Sequence, residues 1–508
     1  MIRIIFYTLE IAVFSTLLAA LVGIPAAFFT SHRRFWGQRL LLSASIVPLC
    51  VPPLIVALGY VSFFGISGTA NSFLKLLGFN TSDNKTFLYS TVGIIIAQGF
   101  YNFPLITKIM NDAWTRLPKE QENAARLLGT GERRLFFTIT LPQLSGAIVA
   151  ACIPVFLFCF FSFMIVLLFS PLGKSTIEVE IYHSIRTTLN VGDGLMLAVS
   201  ETLIALCIVF FYGMISRKSQ TSNEGIDFSG EARNKKGLEG IKLNGQRIGK
   251  NPFATYSQKT IEWVLFIILL MLVAVFFLFP GLSILVSAFT QRKGNNDIIT
   301  FFQFKKLFGD KTFMQAVWNT CWVGFFTGLC CTLLAFVYSV LIKINRKQGN
   351  VVLQTIPIIP MAISSVVIAW CFSLIFHRGH PLLLILMQTM LYWPMAYRQL
   401  QNGMNKITFE TDRAALLFSR NKLDSILRVY LPSCKKVILS SFVYCFAMSA
   451  GDATLPLVLS IPRFNTVALY TYKLASSYRF NQACASGVIL TVLCGLIVFL
   501  CESAYKTQ

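Results

Sequence analysis

Two stretches of equal length and related sequence lie 290 residues apart in this chain of 508 residues. Residues 117–142 read LPKEQENAARLLGTGERRLFFTITLP, and residues 407–432 read ITFETDRAALLFSRNKLDSILRVYLP. Each contains an Ala-Ala-x-Leu or Ala-Ala-Leu-Leu run and ends in Leu-Pro at the same distance from it. Ala and Leu at this spacing favour a short amphipathic helix, and Pro is accepted in the first turn of the helix that follows. The pattern predicts a helical chain that contains an internal duplication.

The duplication extends towards the N-terminus of each half. Thr8 corresponds to Thr320, but here the offset is 312 residues instead of 290. The difference of 22 residues fits one long loop, 65–89, whose counterpart at 377–380 has only four residues. One insertion in a single loop therefore reconciles the two offsets, and we expect two homologous halves packed around a pseudo-twofold axis.

The composition excludes a water-soluble enzyme, a disordered chain and a coiled coil. Hydrophobic residues make up 55% of the chain and charged residues 13%, which is about half the charged share of a typical soluble protein. The apolar runs are continuous instead of alternating, which favours membrane-spanning helices over a barrel. The formal net charge of +22 is typical of a membrane protein with basic cytoplasmic loops, so nucleic acid is not an expected partner.

Eleven apolar runs are long enough to span a bilayer, and we predict an all-α polytopic membrane protein with about eleven transmembrane helices. The predicted spans are residues 6–30, 40–64, 90–113, 143–169, 194–215, 261–289, 316–342, 351–376, 381–399, 434–459 and 483–501.

A polar segment, 216–259, separates the two halves. It is rich in Gly, Asn and charged residues and has no apolar period, which is typical of a flexible linker. We therefore expect one transmembrane domain at 1–215 and a second at 260–508. With the N-terminus outside, the linker and the loops 117–142 and 407–432 all lie in the cytoplasm, as their basic residues favour.

The two related loops indicate a docking surface. Each presents a short helix with an Ala-Ala face to the cytoplasm, which suits a partner with two-fold symmetry. In the first loop, Glu122 and Arg126 are spaced to pair across one helical turn. Gly129 can end the helix or let another backbone approach closely.

The loops resemble the EAA loop of the permeases of type I importers of the ATP-binding-cassette superfamily, E-A-A-x3-G-x9-I-x-L-P. The first copy has Asn123 in place of the leading acid, and the second has Arg413 there. The resemblance implies that each loop is a coupling helix that inserts into a groove of the ATPase. The residues to which it assigns this role are Glu122, Ala124, Ala125, Gly129, Ala414, Ala415 and Ser419.

The resemblance covers nearly the whole chain and implies a permease subunit of the bacterial inner membrane that is not itself an enzyme. It implies two copies of a cytoplasmic ATPase that bind ATP and magnesium, an extracytoplasmic substrate-binding protein, and no cofactor in this chain. Among fused double permeases the chain looks most like those of thiamine importers, with ferric iron importers next. The supporting segments are 159–163, 175–182, 450–452 and 477–479.

Ionisable residues within predicted spans are few, which makes them informative about function. We expect Glu201 and Asp452 to line the translocation pathway, together with the aromatic residues Phe161, Tyr182 and Tyr472. Isolated carboxylates and aromatic faces suit a cationic substrate with aromatic rings better than a bare metal ion. The alternative is that each acid lies near the end of a span or is hydrogen-bonded to a neighbour.

Other local patterns do not indicate a catalytic or metal site. Gly173-Lys174-Ser175-Thr176 resembles the end of a phosphate-binding loop, but Leu168 stands where that motif requires Gly. The 13 cysteines have no metal-binding spacing and are typical of buried apolar positions. Two other classes stay open at this point: an autonomous secondary transporter, which can also contain repeats, and a membrane-embedded enzyme, for which no catalytic constellation stands out.

Overall fold

The computed structural model describes the following residues: 1–32, 35, 37–43, 51–66, 68–71, 87–117, 119–171, 173–188, 190–224, 256–293, 296–344, 353, 356–376, 379–404, 407, 411 and 418–506. Within these ranges nearly all regular structure is helical, and the strands form one antiparallel hairpin in which Thr290 pairs with Ile299.

The helices before the linker alternate between long, apolar spans and short connecting helices. They are α1 (Ile2–His32), α2 (Gln38–Ser43), α3 (Pro53–Phe64), α4 (Thr91–Thr115), α5 (Lys119–Leu127), α6 (Glu132–Leu135), α7 (Leu141–Phe160), α8 (Phe163–Phe169), α9 (Ile177–Arg186) and α10 (Val191–Glu224). A short 3-10 turn covers Phe87–Tyr89.

After the linker, one additional span and the hairpin precede the second half. The elements are α11 (Tyr256–Val273), α12 (Phe279–Phe289), β1 (Thr290–Lys293), β2 (Asn296–Ile299), α13 (Phe302–Phe308), α14 (Lys311–Ile344), α15 (Ser365–Ile375), α16 (Pro381–Met404), α17 (Lys422–Ser425), α18 (Leu431–Gly451), α19 (Thr454–Leu459), α20 (Val467–Ser476) and α21 (Phe480–Lys506). A π-turn at Ala274–Leu278 joins α11 to α12, and a 3-10 segment covers Ile356–Ala362.

Nine helical segments in the described part of the chain are long and apolar enough to cross a membrane. The prediction of about eleven spans is consistent with this number. The other two predicted spans fall on α15, a shorter apolar helix, and on α16, a helix of 24 residues. The protein is therefore an all-α polytopic membrane protein.

The helix before the linker is longer than the sequence predicts. It continues to Glu224, nine residues into the segment 216–259, and the next helix begins at Tyr256. Residues 216–224 are polar but contain neither Gly nor Pro, so nothing in them stops an established helix. The remainder of the predicted linker, 225–255, lies outside the described residues.

The two halves repeat each other down to individual hydrogen bonds. The hydroxyl oxygen of Thr8 accepts a hydrogen bond from the backbone N–H of Ile177 at 3.0 Å. The hydroxyl oxygen of Thr320 accepts one from the N–H of Val467 at 2.8 Å. The two threonines are 312 residues apart, whereas Ile177 and Val467 are 290 residues apart. Both offsets of the repeat therefore lead to the same hydrogen bond, and the single-insertion alignment of the halves is confirmed in three dimensions.

A wide helical turn precedes α7 and α18 at the same place in each half. The π-turns span Phe136–Thr140 and Ile426–Tyr430. Each is followed by Leu-Pro, and proline has no N–H to donate and its ring clashes with the carbonyl four residues earlier. A turn with one additional residue relieves this conflict without breaking the helix.

One part of the interface between the halves is formed where α9 and α10 of the first pack against α15 and α19 of the second. A Cβ atom at Gly194 would lie 3.2 Å from the indole ring of Trp370, so the ring packs directly against the backbone of α10. At the edge of this interface the guanidinium group of Arg186 donates a hydrogen bond to the carbonyl oxygen of Val458 at 2.9 Å. Relative movement of the halves therefore has to change a packed and hydrogen-bonded interface.

Candidate functional site

A cavity of about 260 Å³ lies between the two halves. Its walls come from corresponding places in each half: the residues before and at the starts of α3 and α15, the middles of α4 and α16, and the breaks after α7 and α18. Pro52 lines it together with its equivalent Ser364, and Ser162 together with its equivalent Asp452. The cavity therefore lies on the pseudo-twofold axis, and its volume is close to the lower end of the range for small-molecule pockets, ~300–1,000 Å³.

The helices are interrupted at the cavity wall. In the first half α7 ends at Phe160 and α8 begins at Phe163, and in the second half α18 ends at Gly451 and α19 begins at Thr454. At membrane depth, non-helical backbone is tolerated only where it is buried in protein or lines a cavity. These interruptions are typical of transporter ligand sites.

Asp452 fills the interruption in the second half. It is 9% exposed and its Oδ1 atom accepts hydrogen bonds from the N–H groups of Thr454 at 2.9 Å and Leu455 at 3.2 Å, which caps α19. Its Oδ2 atom accepts one from Gln388 Nε2 at 3.3 Å, and the hydroxyl group of Tyr392 lies near this carboxyl group. The acid is thus fixed in one orientation at the cavity wall.

Aromatic side chains share the cavity wall with this acid. Tyr101, Phe161 and Tyr392 line the same cavity, and the Tyr101 hydroxyl group donates a hydrogen bond to the carbonyl oxygen of Val51 at 2.9 Å. An acid among aromatic faces can attract a cation through both its charge and the ring quadrupoles. The cavity is therefore suited to an organic cation.

The structure places the five predicted pathway residues in two groups. Asp452 and Phe161 line the cavity, whereas Glu201, Tyr182 and Tyr472 are not among its lining residues. Tyr182 packs against Phe163, with 5.3 Å between ring centroids. It lies near enough to its equivalent Tyr472 for the two groups to interact electrostatically across the pseudo-axis.

Glu201 belongs to a buried acidic pair. It is fully buried, and neither carboxylate oxygen has a hydrogen-bond partner in the described part of the chain. Its carboxyl group lies near that of Glu178, which is equally buried. Oε1 of Glu178 accepts a hydrogen bond of 2.6 Å from the hydroxyl group of Ser364, on the cavity wall. The sequence pattern did not indicate Glu178, since it lies in a short helix between two spans.

Two uncharged polar residues of the cavity wall, Gln98 and Asn102, were also not indicated by the sequence pattern. Gln98 Oε1 accepts a hydrogen bond from the hydroxyl group of Ser15 at 3.0 Å. In the second half Gln388 Oε1 accepts the equivalent bond from Thr327 at 3.1 Å. The recurrence of Gln at an offset of 290 residues in two apolar helices was the available signal.

In the first of the two related loops, 117–142, Gly129 ends the helix. Its φ angle is +77°, a value that favours glycine, and the N–H group of Thr130 bonds back to the carbonyl oxygen of Ala125 at 3.1 Å. This is the usual left-handed termination of a helix. A Cβ atom at Gly129 would meet nothing within 4 Å, so the glycine is explained by its backbone conformation and not by a close contact.

Glu122 and Ala125 face their own chain. Glu122 lies 3.8 Å from the guanidinium group of Arg126 and accepts a hydrogen bond from the hydroxyl group of Thr140 at 3.2 Å. Ala125 is 8% exposed, whereas Ala124 is exposed. These contacts hold α5 against the π-turn that begins the next span.

Large apolar side chains are the exposed feature of both loops. Leu127 and Leu128 are 90% and 86% exposed, and Phe418, the equivalent of Leu128, is 88% exposed. Ser419 is partly buried, and the predicted contact residues Ala414 and Ala415 lie outside the described residues. The exposed Leu and Phe are candidates for contact with a partner, and the sequence pattern did not single them out.

A metal site is not assembled in the described ranges, where no group of three or more His, Cys, Asp or Glu side chains could hold an ion. Of the two histidines near 377–380, His377 lies outside the described residues. Nδ1 of His380 accepts a hydrogen bond from the N–H group of Leu382 at 3.2 Å, at the start of α16.

Comparison with known families identifies two related segments. The model of the family described as "Binding-protein-dependent transport system inner membrane component" matches residues 19–220 and 347–506. The two matches lie on either side of the polar linker, one in each half of the repeat.

Curated relatives match along the whole chain. The thiamine transport system permease protein of Escherichia coli is 23% identical over 516 residues, which cover 98% of this chain and 89% of the relative. That of Haemophilus influenzae is 22% identical and covers 97% of this chain and 87% of the relative. The ferric transport system permease protein of Actinobacillus pleuropneumoniae is 24% identical, over 98% of this chain and 70% of the relative. Among solved structures, a bacterial alginate importer is 19% identical over 50% of this chain and 98% of that chain, with a TM-score of 0.38.

Proposed function

This chain belongs to the family of inner membrane components of binding-protein-dependent transport systems, and we propose that it is the permease of an importer for thiamine. As a permease subunit of an ATP-binding-cassette importer, it is a multi-pass protein of the inner membrane and not an enzyme. This membership decides against both the autonomous secondary transporter and the membrane-embedded enzyme.

The observation that carries the choice of substrate is the position of Asp452 in the central cavity. It is the acidic residue that the described chain contributes to the cavity wall, three hydrogen-bonding groups fix it, and Tyr101, Phe161 and Tyr392 line the same cavity. Thiamine is a cation with two aromatic rings, so both its charge and its ring faces would find partners there. The full-length similarity to thiamine permeases supports the same choice.

The transport cycle follows from the two halves and their loops. A substrate-binding protein delivers thiamine to the outer face, and the halves move against each other to open the cavity alternately to the two sides. Two copies of a cytoplasmic ATPase bind ATP and magnesium and drive this movement, a division of roles that membership of the transport family supports. The loops 117–142 and 407–432 transmit the movement through their exposed apolar side chains, and the segment between the halves acts as a tether.

Ferric iron is the second candidate, favoured by the ferric permease among the relatives. A hard trivalent cation is coordinated by several oxygen ligands at one site. Asp452 is the acid that the described residues contribute to the cavity, and it is surrounded by aromatic and apolar groups. The cavity therefore suits thiamine better than iron.

The decisive experiment compares uptake of labelled thiamine and of ferric iron in cells that lack this chain. We expect thiamine uptake to be lost and to return with the wild-type gene, while iron uptake is unaffected. Loss of iron uptake with normal thiamine uptake would overturn the assignment. In complemented cells, Asp452→Asn should reduce thiamine uptake without reducing assembly of the complex, and Met395→Leu on the same wall is the matched control.

A further inference from the structure

The first-half wall of the cavity carries a hydrogen-bond donor and an acceptor that have no partner among the described residues. Gln98 is 1% exposed and Asn102 is 2% exposed, and both line the cavity. The Nε2 atom of Gln98 and the Oδ1 atom of Asn102 make no hydrogen bond within the part of the chain that the structure describes. Buried polar groups in native proteins are nearly always paired, so an unpaired donor and acceptor side by side require an explanation.

The other atoms of these two amides are engaged, which fixes their orientation. The hydroxyl group of Ser15 donates to Gln98 Oε1 at 3.0 Å. The Nδ2 atom of Asn102 donates to the carbonyl oxygen of Gln98 at 3.0 Å and contacts the sulfur atom of Cys159 at 3.6 Å. The two residues lie one helical turn apart on α4, so the unpaired N–H group and the unpaired oxygen, both buried in the wall in this conformation, come from adjacent positions.

In the second half, the equivalent glutamine amide has hydrogen-bond partners for its N–H groups. Gln388, the equivalent of Gln98, uses its Nε2 atom to donate to Asp452 Oδ2 at 3.3 Å and to the carbonyl oxygen of Ser449 at 3.4 Å. In the first half the position equivalent to Asp452 is Ser162, and the position equivalent to Tyr392 is Asn102. The repeat has thus diverged so that one wall carries a charge and the opposite half carries an open amide pair.

We propose that Gln98 and Asn102 form a subsite for the edge of an amino-substituted nitrogen heteroaromatic ring. The N–H group of Gln98 donates to a ring nitrogen, the Oδ1 atom of Asn102 accepts from the adjacent amino group, and Asp452 in the other half receives the cationic end of the same molecule. This subsite rests on the proposed function and assigns the aminopyrimidine ring of thiamine to one half and its cationic ring to the other.

The subsite predicts discrimination between two closely related ligands. In oxythiamine the amino group is replaced by a ring carbonyl, so donor and acceptor exchange places along the edge of the ring. With oxythiamine, the N–H group of Gln98 would face a ring N–H group and the oxygen of Asn102 would face a carbonyl oxygen, and both contacts are unfavourable. The experiment measures equilibrium binding of labelled thiamine to the purified full chain in lipid nanodiscs, with unlabelled thiamine and oxythiamine as competitors. No binding protein is present in this assay, so selection by that partner does not contribute.

We expect the wild-type chain to prefer thiamine by about tenfold or more. Asn102→Leu and Gln98→Met should weaken thiamine binding and bring the preference close to one. Asn102→Asp retains an acceptor oxygen and should retain the preference, which separates loss of recognition from loss of folding. Asp452→Asn should weaken the binding of both ligands by a similar factor and leave the preference unchanged, since the two share the cationic ring.

The inference and the proposed function fail in different ways. If the chain binds thiamine but does not distinguish oxythiamine, or if Asn102→Leu and Gln98→Met leave the preference intact, the subsite is wrong and the thiamine assignment stands. If uptake of thiamine does not depend on this chain, the proposed function is wrong, and the subsite falls with it.

Discussion

The hydroxyl group of Ser364 donates a 2.6 Å hydrogen bond to the carboxyl group of Glu178, so a residue of the second half holds a buried acid of the first. The repeat contains no equivalent of this bond, because Pro52 occupies the position equivalent to Ser364 and Ala468 the position equivalent to Glu178. Ser364 also lines the central cavity. This hydrogen bond therefore ties the interface between the halves to the cavity on one side of the pseudo-axis, without an equivalent bond on the other side.

Removal of this bond should destabilise the interface. Ser364→Ala leaves the Glu178 carboxyl group buried without its described partner, which costs about 1–3 kcal/mol. The measurement is thermal unfolding in detergent, with Ser365→Ala as the control at the neighbouring wall position. Ser364 also accepts a hydrogen bond from the N–H group of Val366, so a double-mutant cycle with Glu178→Ala isolates the bond between the halves. A coupling energy near zero in that cycle would contradict the prediction.

The exposed apolar side chains of the two loops should hold the ATPase. Leu128→Glu or Phe418→Glu places a charge where we expect a buried contact, so binding should weaken by at least about tenfold. Co-purification of the ATPase subunit with the detergent-solubilised permease measures this effect. Thr138→Glu, at an exposed position of the same loop, is the control and should retain the ATPase. Normal amounts of ATPase with both variants would show that the contact lies elsewhere.

Equivalent threonines of the repeat should have equal effects on stability. Thr8→Val and Thr320→Val each leave a buried backbone N–H group, of Ile177 or Val467, without its acceptor, at a cost of about 1–3 kcal/mol. Thr332→Val is the matched control, since that hydroxyl group donates to the carbonyl oxygen of Gly328 in its own helix. Thermal unfolding should show two similar losses and a smaller effect for the control. Unequal losses at Thr8 and Thr320 would show that the two halves differ in local stability.

Asp310 should make stability depend on pH in the acid range. Hydrogen bonds from Thr312 and Tyr470 hold the pKa of its carboxyl group below the ordinary value of 3.8. The ionised form is therefore favoured by folding, and its contribution is present in full above that ordinary value and is lost as pH falls through the lower folded pKa. Asp310→Ala removes the first acceptor of α14 and should cost ~0.5–2 kcal/mol at neutral pH.

The difference between Asp310→Ala and wild type should shrink as the pH is lowered below 3.8, which thermal unfolding at several pH values can follow. Asp112→Asn is the control, because its pair with Lys108 is exposed and contributes little. A constant difference between the Asp310 variant and wild type across this range would argue against the ionised carboxylate as the cause.

The polar segment between the halves should act only as a tether. Co-expression of 1–230 and 250–508 as separate chains should restore transport, because the helices end at Glu224 and resume at Tyr256. Uptake in cells that lack the intact chain measures this, with each half alone as the control. Failure of two well-expressed halves to assemble would show that the segment contributes more than a connection.

The spans and the repeat could be predicted because a bilayer imposes long apolar runs and because duplication preserved the spacing of pairs such as Thr8 and Thr320. The exposed positions of the loops could not be predicted, since exposure of Leu128 depends on where Gly129 ends the helix and on the contact of Glu122 with Thr140. The amide pair of the cavity, Gln98 and Asn102, could not be predicted from the sequence either. Which polar residue of an apolar helix faces a cavity depends on how two separate halves pack.

The π-turns before α7 and α18 bear on the ancestry of the chain. Each accommodates one residue more than a regular turn, and the two lie at positions that the repeat equates. The Leu-Pro pair that each turn accommodates was therefore present before the sequence was duplicated. Two identical copies of one half would form a homodimer with two equal cavity walls. Fusion allowed the two copies to accumulate different substitutions, and the acid at Asp452 and the open amide at Gln98 are the kind of division of labour that a homodimer cannot evolve.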